Sequence, residues 1–289
     1  MGKKAGIILS VVCVIAMVAG IGVQAYADKQ VEEQVRVLAA ELSSYADIGY
    51  QEVKANLLNS GVTLNDVSIK PVNASETIKI AQISMSNIAV YSEIPAQMDV
   101  LFTGISVNGL SSDSAQLISR LGYDSSLLAN VGIGYEYNIE KKELSVKRLS
   151  FGADNAGQLE LSFKLGSIAY DPKMPIAFLF NLPQVMLHAA RVEYTDASLV
   201  DRFMKVEAQN SGMSLEDMKE MFAHNVEILL EQQSDEFTRQ SIKVLADFIQ
   251  NPTKLSITLS PEHPQTFARV MRSTQPGEIV RLLNIKIKS

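Results

Sequence analysis

The chain has 289 residues, room for one large domain or two small ones at roughly 100–200 residues each. Its 47% hydrophobic and 20% charged residues exclude a disordered chain, collagen and a polytopic membrane protein. The net charge of −6 argues against nucleic acid as a partner, and the single cysteine, Cys13, excludes disulfide staples and cysteine-based zinc sites.

The first element is an apolar run. Met1-Gly2-Lys3-Lys4 is followed by residues 5–23 without a charge. Nineteen residues at about 1.5 Å each come close to a ~30 Å hydrocarbon core. Two lysines ahead of that run favour a cytoplasmic N-terminus and export of the rest of the chain. Ala25-Tyr26-Ala27 before Asp28 also matches an A-x-A cleavage site. Residues 1–27 are therefore a signal-anchor or a cleaved signal peptide. With a cysteine-free body, the expected location is the bacterial periplasm, either tethered to the inner membrane through residues 5–23 or soluble after cleavage at Ala27.

Residues 28–46 come next, as an amphipathic helix. Val31, Val35, Leu38 and Leu42 recur at four, three and four, a stripe that suits either a stalk or a helix laid on the body. From 47 to 170 the period changes to two, as in an antiparallel sheet with one face on a core. Val131, Ile133, Tyr135, Tyr137 and Ile139 form one strand, and Leu159, Leu161, Phe163 and Leu165 another. Between them Leu144-Ser145-Val146 and Leu149-Ser150-Phe151 are out of phase, which predicts a bulge at Lys147-Arg148 and a three-strand meander. Earlier strands are expected over Val62–Ile69, Ile78–Met85 and Met98–Phe102, then a short helix over Ser111–Leu121.

Residues 171–289 read as mainly helical and packed on the sheet. A capping box is expected at Ser214-Leu215-Glu216-Asp217, with Met218, Phe222, Val226 and Leu229 behind it. Residues 214–250 form one helix or two, broken near Gln233-Ser234-Asp235. Lys254–Leu259 and Asn284–Lys288 are expected strands, and Pro264 and Pro276 are expected in the first turns of two short helices.

One passage carries more than periodicity. Gly49-Tyr50-Gln51-Glu52-Val53-Lys54 and the stretch Leu57-Leu58-Asn59-Ser60-Gly61-Val62-Thr63-Leu64-Asn65-Asp66-Val67-Ser68-Ile69 resemble the opening of AsmA-like and related uncharacterised bacterial envelope proteins, over roughly residues 5–110. That resemblance implies a β-rich periplasmic body, with lipid handling among larger relatives. It implies no catalytic residues.

No catalytic motif stands in the chain: no H-E-x-x-H, no G-x-S-x-G and no P-loop. Glu220 and His224 stand at i,i+4 without further ligands, and Gly132-Ile133-Gly134 is not followed by a helix. No catalytic residue, metal ligand or cofactor is expected. Charge is uneven: residues 193–236 hold 11 acidic side chains against Arg202, Lys205 and Lys219, while residues 269–288 are basic.

The expected fold is α+β: an N-terminal membrane segment, then an antiparallel sheet covered by a C-terminal helical half. The expected function is non-catalytic. Lipid or another apolar ligand would lie between sheet and helices, on Val131, Ile133, Tyr135, Leu159, Leu161, Phe163, Met218 and Phe222. Two alternatives stand beside it: an interaction protein that recruits other envelope proteins, and an enzyme of unrecognised type.

Overall fold

The computed structural model describes residues 28–56, 61–72, 77–90, 95–106, 112–123, 127–168 and 177–289. The expected membrane segment and the cleavage site at Ala27 lie outside the described residues. Among those described, no helix is long and apolar enough to cross a membrane.

Helix α1 (Asp28–Glu41) opens the described chain, with a short 3-10 turn (Leu42–Ser44) after it. Then come β1 (Ala46–Gly49), β2 (Glu52–Asn56), β3 (Gly61–Pro71), β4 (Ile78–Val90) and β5 (Pro95–Ser106). Helix α2 (Ser112–Arg120) leads to β6 (Leu128–Asn138), β7 (Glu143–Ala153) and β8 (Gly157–Gly166). A 3-10 segment (Ala177–Gln184) precedes β9 (Met186–Asp196), then α3 (Leu199–Asn210), α4 (Leu215–Gln232) and α5 (Glu236–Gln250). The chain closes with β10 (Lys254–Leu259), β11 (Gln265–Thr266), α6 (Phe267–Arg272), α7 (Pro276–Leu283) and β12 (Ile285–Lys288).

All strands join one antiparallel sheet in the order β1-β3-β4-β5-β6-β7-β8-β9-β10-β12, with β2 also on β3 and β11 also on β9. This overturns the expected α+β division. The sheet does not end at residue 170, and residues 171–289 are not a helical half laid over it. Strands β9, β10 and β12 extend the same ladder, and α3–α5 are an excursion between β9 and β10. The reason is legible in the register. Leu159, Leu161 and Phe163 pair with Tyr194, Val192 and Ala190, so β9 supplies the neighbour that β8 needs. The short strands at Lys254 and Ile285 pair with β9 and with each other rather than standing alone. The outer strand β12 carries exposed Lys286 and Lys288, charges that discourage another chain from pairing there.

Directly paired residues share a face, so the ladder defines two. One is apolar from end to end: Val100, Ile133, Leu149, Leu161, Val192, Ile257 and Ile287 form a single row across seven strands. Three packed clusters occupy the molecule. At one end Val35 of α1, fully buried, sits with Val62, Leu64, Ile83, Val100 and Phe102. The amphipathic helix thus lies on the body rather than standing as a stalk. At the far end of β6–β10, Phe267, Val270, Ile279 and Leu283 of α6 and α7 close over Leu165, Leu187 and Leu259. The third cluster belongs to the excursion: Met204, Ala208 and Met218 with Val200, Leu215, Phe222 and Ile249.

The excursion is two-hinged. Ser214 and Asp217 form the capping box expected for α4, and Asp235 caps α5 through the Thr238 amide, so residues 214–250 are two helices. Pro276 is at the start of α7 as expected. Pro264 instead precedes β11, and the helix after it begins at Phe267. Helix α5 reaches the apolar face at Tyr194, whose ring meets Phe248 edge-on at 5.9 Å.

Burial, and its hydrogen bond to Asp196, hold the Tyr194 phenol well above its ordinary pKa. A raised folded pKa contributes stability that is complete below the unfolded value of about 10 and is lost as pH rises above it. Stability measured by urea titration should therefore fall above about pH 10. The fall should be shallower in Tyr194→Phe, and equal slopes in the two proteins would refute this assignment.

Candidate functional site

The predicted ligand residues do not all meet. Val131 and Tyr135 pack against the cluster under α1, and Phe163 against the one under α6 and α7. Met218 and Phe222 are held inside the helical excursion and face their own core. They take no part in a sheet groove: their stripe is consumed by α3 and α5. Ile133, Leu159 and Leu161 remain, and the bulge brings Leu149 and Phe151 beside them.

These residues lie between the clusters and belong to none of them. Phe151 is 49% exposed and Leu159 42%, and the two are a direct cross-strand pair. Ile133, Leu149, Leu161, Val192 and Ile257 are partly exposed. The row spans five strands, about 19 Å at roughly 4.8 Å per strand. It is bounded by α1's cluster at one side, Phe248 of α5 at the other and α6–α7 along one end. The result is an apolar trough with closed margins and an open middle.

The opposite face is polar, and the same bulge shapes it. Lys147 and Arg148 together oppose Ser162, so the phase of β7 flips between Val146 and Leu149. Lys147 reaches Glu136 at 2.7 Å. Arg148 lies across Gly132, where an added Cβ would sit 3.1 Å from its Nε and 2.5 Å from the Ser150 hydroxyl. At Gly134 a Cβ would collide with the Asp99 carboxylate. The two glycines are thus required as a bed for these polar groups. The surrounding cleft has a volume of about 610 Å³, bounded by residues that include Thr103, Asn130, Gln158, Glu160, Glu193 and Thr195.

Histidines contribute little chemistry. His224 is exposed, 4.0 Å from Glu227, and the His263 carbonyl accepts from the Gln265 side chain. His188 rests against Gly166 with its Nε2 buried and unpaired. Among the described residues no three groups are placed to hold a metal.

A family model described only as an uncharacterized protein matches residues 150–289, from the middle of β7 to the end. The chain is also similar to an uncharacterized protein of Aquifex aeolicus (strain VF5), 24% identical over 205 residues. That match covers 66% of this chain and 66% of the relative, just under two thirds of each. Neither description names a ligand or an activity.

Proposed function

We propose that this is a non-catalytic, membrane-tethered periplasmic protein that binds the acyl chain of a lipid along the apolar trough. The observation that carries the reading is the Phe151–Leu159 pair, two large apolar side chains about half exposed beside the partly exposed row of Ile133, Leu149, Leu161, Val192 and Ile257. Leaving such surface in water forgoes roughly 25 cal/mol per Å² of apolar area, so a ligand that covers it gains that term on binding. An extended chain suits the shape, because the open row runs straight across five strands and has no deep end. The uncharged residues 5–23 behind Lys3 and Lys4 would place the trough beside a source of such chains.

The test uses the full chain in its own membrane, with a photo-crosslinking phenylalanine analogue in place of Leu159. The same analogue in place of Gln158, on the opposite face, is the control. Illumination should give a lipid-mass adduct at position 159 and none at 158. A protein adduct at 159 would favour the interaction-protein reading instead. No adduct at either position would remove the lipid.

A further inference from the structure

We propose that the polar cleft on the opposite face is a second, independent binding site for a small zwitterion of amino-acid to dipeptide size. Several polar groups around the cleft are already engaged. Asn130 donates to Asp154 at 3.0 Å and its carbonyl oxygen accepts from the Gly104 amide at 3.0 Å, so its side chain is spent on structure. Glu193 is held between Lys254, at 2.5 Å, and Arg191, and these cations keep its carboxyl below the ordinary range. Asp99 accepts from Asn87 at 2.7 Å.

Two charges of opposite sign lining the cleft, Arg148 and Glu160, make neither an ion pair nor a side-chain hydrogen bond among the described residues. Arg148 has no ion-pair partner among the described residues, and its Nε is buried with no acceptor. Glu160, partly buried on the neighbouring strand, likewise has no ion-pair partner among the described residues. Both line one cleft, one diagonal step apart on paired strands, yet they do not pair with each other. A buried guanidinium donor without an acceptor is costly, which makes its retention informative.

The chemistry that satisfies both ends is a carboxylate for Arg148 and an ammonium for Glu160. A phosphate dianion suits the cleft poorly, since its lining carries Asp154, Glu160 and Glu193 against the one guanidinium of Arg148. A neutral molecule leaves both charges unmatched. The volume of about 610 Å³ lies within the range of small-ligand sites, and a dipeptide fits it with room for solvent.

The experiment is calorimetric titration of the detergent-solubilised full chain with three probes: alanyl-alanine, its C-terminal amide and its N-acetyl form. The intact dipeptide should bind saturably. Deleting either of its charges should weaken binding about 10-fold or more, the usual worth of a charged hydrogen bond. Arg148→Gln should weaken the intact dipeptide as strongly, while leaving the already weakened amide unchanged. Glu160→Gln, at a less buried position that leaves the fold intact, should do the same with the acetyl form. Three results would overturn the site: no saturable heat at millimolar dipeptide, equal binding of all three probes, or variant effects independent of which charge the probe lacks. The trough is on the other face, so a failure at the cleft leaves the crosslinking result at position 159 untouched, and the converse holds.

Discussion

Phe102→Ala should lower stability by about 3–5 kcal/mol, whereas Phe151→Ala should cost less than about 1 kcal/mol. The two phenylalanines share a cross-strand row, Phe102–Val131–Phe151, so backbone context and face are matched. What differs is the cover. Phe102 is 2% exposed beneath the cluster that includes Val35 of α1, and truncating it leaves a cavity that close-packed strands cannot collapse. Phe151, 49% exposed two strands away, has water where Phe102 has a helix. Urea unfolding of both variants measures the contrast. Equal losses would mean that the middle of the face is covered, and the trough would lose its basis.

Much of this sheet is legible in the sequence. Alternation places β6, β7 and β8, and the phase slip at Lys147-Arg148 marks a bulge that the register contains. The capping box at Ser214 is likewise a local signal with a local cause, whereas the pattern leaves one helix or two open over residues 214–250 and the Asp235 cap decides for two. The C-terminal half reads wrongly as a helical layer because the long helices α3, α4 and α5 outweigh the short strands β10, β11 and β12 over residues 199–289. A strand of six residues such as β10 takes its stability from β9, more than fifty residues earlier in the chain, and no local pattern records that partnership.

The apolar site is half legible for the same reason. Period two identifies which side chains share a face, and Ile133, Leu159 and Leu161 do. It carries nothing about which part of that face the helices cover. Met218 and Phe222 are drawn to the sheet in a sequence reading because an amphipathic stripe needs a partner, but α3 and α5 supply it. The polar cleft escapes that reading although its signal is present: two glycines alternating with apolar residues at 132 and 134, opposite an arginine at a bulge. Glycine in a strand marks close approach of something, and in this sheet it is Arg148, Ser150 and Asp99.

Arg202→Ala should destabilise the protein by about 2–4 kcal/mol, and Arg202→Lys should recover little of it. Arg202 on α3 donates from one terminal nitrogen to the Leu121 carbonyl at 3.1 Å and to the Gly122 carbonyl at 2.6 Å, the end of α2 some eighty residues away. Its guanidinium also lies 4.2 Å from the centre of the Tyr123 ring. Its Nε donates to the Ser198 hydroxyl at 3.1 Å. That hydroxyl gives its one proton to the Asn155 carbonyl, so the Tyr123 phenol, 2.9 Å away, is the donor to Ser198. One side chain therefore ties α2, the β7–β8 turn and the start of α3 together. A lysine ammonium reaches one of these acceptors but cannot stack as a plane while donating along two directions. Tyr123→Phe in both backgrounds separates the contributions. The phenol's loss should matter less once Arg202 is alanine, because the network it belongs to is already open. Strictly additive losses would mean that the stacking and the hydrogen bonds act independently, and the single-clamp account would fail.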